Sequence, residues 1–196
     1  MNQDGVNVKR RRFLVAATSV VGAVGAVGVA IPFIKSWNPS AKAKAAGAPV
    51  TINISKLEPG QQVIVEWRGK PVFVVRRSQA MLDSIRKASD RLRDPGSQES
   101  GQPDYAQNEF RARRDEFLVL VGLCTHLGCS PKFMPEVKPM DFDEKWVGGY
   151  YCPCHGSRFD LAGRVFKGVP APTNLVVPPY SFEGDILTVG VDEETA

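Results

Sequence analysis

All four cysteines and both histidines of this chain fall in two short stretches, C-T-H-L-G-C at 124–129 and C-P-C-H-G-S at 152–157. Thiolate and imidazole are soft and borderline ligands of transition metals, so this confinement predicts one metal centre held between two loops. Cys154 and His155 are neighbours, and adjacent side chains in an extended loop point apart. Cys124 with His126 and Cys152 with His155 have C-x-H and C-x-x-H spacings, which let a tight loop aim two side chains at one point. Cys129 and Cys154 are then spare, one in each stretch. A disulfide between them would tie the loops together on the side away from the metal. Closing a loop of roughly 25 residues is worth about 3–4 kcal/mol in the chain-entropy description.

Two cysteines and two histidines also suit structural zinc, which would make the site an interaction module without redox chemistry. Its spacing counts against that reading, because the common C-x-x-C and H-x-x-x-H pairs are absent and zinc needs no flanking disulfide. Four free thiols, or two disulfides with uninvolved histidines, are further readings of the same residues.

The rest of the chain must carry these loops. The formal charge of +4 is unevenly spread: residues 1–49 hold seven Lys/Arg and one acid, leaving 18 basic and 20 acidic residues in the remaining 147. The body therefore has no positive excess with which to bind nucleic acid. Residues 13–34 are 22 positions without a charge, about 33 Å of helix and enough to cross a hydrocarbon core. Gly22, Gly25 and Gly28 give this run a small-residue face suited to another helix. Lys9 to Arg12 before it and Trp37 after it orient the N-terminus to the cytoplasm and the body outside.

Arg10-Arg11-Arg12-Phe13-Leu14 resembles a twin-arginine export signal. That route moves folded proteins, which suits a chain whose metal is inserted before export and which zinc would not require. The apolar run is longer than the 7–15 residues of a removable signal, so an uncleaved anchor is expected. The expected organisation is a cytoplasmic tail at 1–12, an anchor at 13–35, a flexible Ala/Lys/Pro-rich linker at 36–49 and a head at 50–196.

Within the head, β-branched runs at 50–54, 62–67, 71–76, 116–123, 147–151 and 186–191 predict strands. Ser78 is an expected N-cap for a helix carrying Met81, Leu82, Ile85, Ala88 and Leu92 before Pro95-Gly96. The polar stretch 94–109 reads as a surface loop. Each ligand stretch follows a strand, placing both on loops of a rigid scaffold.

The paired stretches resemble the ligand boxes of the Rieske iron–sulfur proteins, in which two histidines replace two cysteines on one iron. Gly168-Val169-Pro170-Ala171-Pro172 resembles the proline-rich loop that covers the cluster in that family. With the anchor and linker, the resemblance spans nearly the whole chain and points to the Rieske subunits of bacterial ubiquinol–cytochrome c reductases, the cytochrome bc complexes. It implies a mainly β fold: a Rieske-type antiparallel β-sandwich head with a small cluster-binding subdomain and one inserted helix, plus an N-terminal transmembrane helix. The cluster-binding loops would span about 122–173. It implies one 2Fe–2S cluster on Cys124, His126, Cys152 and His155, with Cys129 and Cys154 in a disulfide and Ser157, Leu127, Gly156 and Pro170 around the cofactor. His126 and His155 would meet ubiquinol and accept its proton. The implied partners are a cytochrome b subunit, a c-type cytochrome subunit and ubiquinol, in a dimeric complex of the bacterial inner membrane with the head on the periplasmic side. The alternative within the family is the small subunit of an arsenite-oxidase-like periplasmic oxidoreductase.

A charge count gives histidine a purpose. Two ferric ions and two sulfides carry a net charge of plus two, which four thiolates would turn to minus two but two thiolates and two neutral imidazoles cancel. An electron enters a neutral cluster more readily, so the potential rises above that of all-cysteine ferredoxins. The iron held by the histidines should be the one reduced, and the electron's arrival favours proton uptake on the adjacent rings. Ser157 matches a family serine that hydrogen-bonds a bridging sulfide. Two places on, where high-potential members carry tyrosine, this chain has Phe159, which predicts a lower potential. The linker would let the head swing between a quinol site and a cytochrome.

Overall fold

The computed structural model describes residues 5, 7–99 and 101–192. Part of the 1–12 tail, residues 1–4 and 6, and the last four residues of the head lie outside the described residues. The chain divides into two compact units, residues 1–45 and 46–196.

The first unit is built on one helix, α1 (Val8–Ser36), whose 29 residues contain the whole uncharged run. Asn7 caps it, its side-chain oxygen accepting from the Arg10 N–H at 3.2 Å. None of its residues is buried, and by length and composition it can cross a membrane. Thr18 donates its hydroxyl to the Leu14 carbonyl within the helix, so that polar hydrogen is met without water. The 36–49 segment contains a short helix, α2 (Ala41–Ala46), which a linker reading did not anticipate. Alanine and lysine are both strong helix formers, and Ser40 caps the turn by accepting from the Ala43 N–H at 3.1 Å.

The second unit consists of three three-stranded antiparallel sheets. The first pairs β1 (Val50–Asn53), β9 (Ile186–Val189) and β8 (Tyr180–Glu183) in that order. The second orders β2 (Gln62–Trp67), β3 (Lys70–Arg76) and β4 (Phe117–Val121). Trp67 pairs with Lys70 across the β2–β3 turn, where Arg68 and Gly69 both have positive φ, the two-residue turn whose twist matches its strands. The two sheets share one core; Phe117 of β4 meets Phe182 of β8 at 5.7 Å between ring centroids. All five residues of β4 are buried, as expected of an uninterrupted apolar run covered on both faces. This is the sandwich base.

Helix α3 (Gln79–Lys87) interrupts the second sheet. Ser78 caps it through the Met81 N–H at 3.4 Å. The helix stops before Ala88, and a 3-10 turn (Ser89–Arg91) carries the same apolar face on to a buried Leu92. The third sheet, β5 (Lys132–Met134), β6 (Gly149–Tyr151) and β7 (Arg158–Phe159), forms the small subdomain. A buried Asp143 binds it to the base, meeting Arg91 at 2.6 Å and Arg158 at 3.1 Å.

The stretch 94–109 is not a surface loop throughout. Asp94, Ser97 and Ala106 are buried, and the Asp94 carboxylate accepts the backbone N–H groups of Gln98 and Glu99. Polar residues go inside here because each finds a partner. Asn174 reaches across to donate to the Asp94 carbonyl at 3.0 Å.

Candidate metal centre

Strand β4 leads into the first cysteine–histidine stretch and β6 into the second. Each folds back with the same pair of backbone bonds. In the first, the Cys124 N–H donates to Cys129 O at 2.7 Å and the Gly128 N–H to Cys124 O at 2.9 Å. In the second, Cys152 donates to Ser157 O at 2.8 Å and Gly156 to Cys152 O at 3.0 Å. Both turns close through a left-handed glycine, Gly128 at φ +80° and Gly156 at φ +75°, where a Cβ would cost about 1–2 kcal/mol. The loops are thus two copies of one frame, with cysteine first and glycine fifth.

Cys129 and Cys154 form a disulfide whose Cα atoms lie 6.7 Å apart. Cys124 and Cys152 are free and buried. The rings of His126 and His155, one from each loop, meet edge to face at 4.7 Å between centroids. His155 is exposed and His126 half-buried, with Leu127 beside them 70% exposed. The six cysteines and histidines of the two stretches therefore converge, the two free thiols inward and the imidazoles outward.

Several features of this arrangement are unfavourable in the bare protein and favourable beside a cation. Burial pushes the Cys152 thiol above its ordinary range, and the Cys124 thiol beside it acts the same way. The N–H groups of Cys154 and His155 point at the same sulfur and favour the thiolate. Nδ1 of His126 is buried with no hydrogen-bond partner among the described residues. Ferric ions would take up both thiolates and this lone pair. The donor set fits a 2Fe–2S group. The sulfurs of Cys129, Cys152 and Cys154 also lie within 4.8 Å of one another, but two of the three are spent on the disulfide and have no thiolate to offer. Their closeness instead seats the disulfide directly against the second ligand loop.

The proline loop ties the two stretches together. Thr125 donates its hydroxyl to Thr173 O at 2.7 Å, and Ser157 Oγ accepts from the Ala171 N–H at 3.0 Å. That bond occupies the Ser157 oxygen as acceptor and leaves its hydrogen free to be donated. Pro170 is exposed beside these contacts. Phe159 is fully buried and pairs across the small sheet with Tyr150. The Thr125 and Ala171 contacts had no signal in the spacing of cysteines and histidines; a hydroxyl inside a ligand loop was the only hint.

Residues 94–181 match the Rieske [2Fe-2S] domain, and residues 1–40 match the TAT signal of ubiquinol–cytochrome c reductase Fe–S subunits. The ubiquinol–cytochrome c reductase iron–sulfur subunit of Allochromatium vinosum is 56% identical over 197 residues, covering 100% of this chain and 95% of that protein. The chain belongs to the family of Rieske iron–sulfur subunits of ubiquinol–cytochrome c reductase. The Rieske subunit of Blastochloris viridis is 45% identical over 92% of both chains. A chain of a solved hyperthermophilic respiratory complex III is 29% identical, covers 88% of this chain and 97% of its own, and has a TM-score of 0.48. As a Rieske subunit, this chain carries a 2Fe–2S cluster and is part of an oxidoreductase, and the arsenite-oxidase reading is not favoured by these relatives. Membership also implies cytochrome subunits as partners and agrees with anchoring through α1.

Proposed function

We propose that Cys124, His126, Cys152 and His155 hold the 2Fe–2S cluster, and that the head takes one electron from ubiquinol and delivers it to a c-type cytochrome. The observation carrying this reading is the edge-to-face meeting of two histidines at the solvent side of two buried free thiols. When bound, the cluster supplies one-electron chemistry at a potential raised by its imidazole ligands.

The protein's own groups do the rest. His126 offers its buried Nδ1 to the metal, which leaves Nε2 to accept a hydrogen bond and then a proton from the quinol hydroxyl. The exposed His155 ring does the same from the second loop. Leu127 and Pro170 give the quinol an apolar rim. Gly156 allows the second loop to turn, and Ser157, its oxygen already occupied by the Ala171 N–H, directs its hydrogen towards the centre. The disulfide and the proline loop hold both loops in register.

In this reading α1 is the uncleaved anchor in the bacterial inner membrane, with residues 1–12 cytoplasmic, 36–49 a tether and the head from residue 50 periplasmic. The partners are a cytochrome b subunit and a c-type cytochrome subunit, in a dimeric complex. Membranes from cells lacking this chain should lose quinol-dependent cytochrome c reduction and regain it when the chain is restored. Undiminished reduction in its absence would overturn the proposal.

A further inference from the structure

Three arginines, Arg77, Arg111 and Arg164, are fully buried; the first two reach the turn at 160–164 that follows β7, and the third belongs to it. Arg77 donates to Leu161 O at 3.3 Å. Arg164 pairs with Asp160 at 2.7 Å and donates to Ile85 O and Pro95 O. Arg111 differs in what it joins. Its Nη1 donates to Ala162 O at 3.2 Å and Gly163 O at 3.3 Å, and its Nη2 to Gln102 Oε1 at 3.1 Å and Leu175 O at 2.7 Å. One guanidinium thus bonds the turn beyond β7, the strand that leads out of the second ligand loop, to Leu175, just past the proline loop. Leu175 closes the link by donating its N–H to Gly163 O at 2.8 Å.

Two further observations say that this position is built rather than incidental. Arg111 itself has φ +52°, a left-handed backbone that a non-glycine residue rarely adopts and keeps only where its surroundings fix it. Opposite it, a Cβ on Gly163 would lie 3.2 Å from Arg111 Nη1 and 2.7 Å from a Leu120 methyl, so the turn is bare where the guanidinium arrives. From these roots the contacts run outwards. Two residues before Leu175, Thr173 receives the Thr125 hydroxyl of the first loop, and Ala171 donates to Ser157 of the second.

We propose that Arg111 is a positioning residue for the redox centre: it fixes the second ligand loop and the proline loop in one register, and so sets where Ser157 and His155 stand. This rests on the reading that those loops hold the cluster. A lysine keeps the charge but not the planar fork that reaches four acceptors on three segments.

The test uses the intact complex in native membranes with Arg111→Lys and, as a milder change, Gln102→Leu, which removes one acceptor of Arg111, together with the Gln102 amide's bond to Ser97 O, and keeps the arginine. Arg111→Lys should retain the cluster while shifting the lines of its reduced-state paramagnetic resonance spectrum and its midpoint potential. Turnover per cluster should fall by about tenfold or more, since misplacement by ~1 Å can cost ~10²-fold. Gln102→Leu should move the spectrum in the same direction by less. An Arg111 that only supports the fold would lower thermal stability and leave spectrum and midpoint superimposable on the parent, which overturns the proposal. If Arg111→Lys loses the cluster altogether, Gln102→Leu decides by the same criterion. The parent's own Rieske-type spectrum tests the functional reading separately.

Discussion

Removing the disulfide with the double variant Cys129→Ser/Cys154→Ser isolates what the covalent link contributes beyond the metal ligands. The two cysteines are separated by 25 positions, so cross-linking them removes loop-closure entropy worth about 3.5 kcal/mol at 25 °C from the unfolded chain. Little else should change, because Cys154 is exposed and Cys129 only half-buried, and serine replaces sulfur without opening a cavity. For a head of this size each kcal/mol moves the unfolding temperature by roughly 2–4 °C, so a fall of about 7–14 °C is expected. Both cysteines are changed together because one left alone would be a free thiol beside Cys152, within 4.8 Å of its sulfur, and open to oxidation. The assay follows loss of visible circular dichroism from the purified complex at a fixed heating rate, beside peptide mapping of the parent. A double variant that melts within ~2 °C of the parent, or a parent that maps with free Cys129 and Cys154, would show that the cross-link does not stabilise the head.

Phe159→Tyr should raise the midpoint potential by tens of millivolts, since a hydrogen bond to a ligand sulfur worth about 1 kcal/mol in redox terms corresponds to about 40 mV; an unchanged or lower potential in a redox titration would contradict this. Asp160→Ala should cost about 3–5 kcal/mol by leaving the buried Arg164 without its counter-ion, because both side chains are 1% exposed; a urea midpoint equal to the parent's would count against it. Replacing residues 41–46 with proline should convert α2 into a stiff extended rod and slow turnover several-fold with the cluster spectrum intact. Unaffected turnover would dismiss the swinging tether.

Local patterns in the sequence located what is local in the structure. Strands β2 and β3, the Ser78 cap and the long apolar helix each show in runs of neighbouring residues. What was not legible depends on distance along the chain. Strands β5 and β7 have three and two residues, too few for any alternation to show, and exist because the ligand loops return against β6. Arginine reads as a surface residue, yet Arg77 and Arg111 find carbonyl oxygens 84 and 64 positions away. The same holds for 94–109, whose polar residues looked solvent-bound until Asn174 supplied an interior partner. That the six cysteines and histidines converge could be read from their spacing, whereas the Thr125 and Ala171 contacts that join the proline loop to them could not.

The central claim is that His126 and His155 both ligate the cluster. They are the only two histidines in the chain, so the complex can be grown on nitrogen-15 histidine and its reduced state examined by pulsed electron paramagnetic resonance. Two strongly coupled histidine nitrogens are expected at the reduced centre. A reduced centre coupled to one histidine or none, or a diamagnetic zinc site, would contradict it.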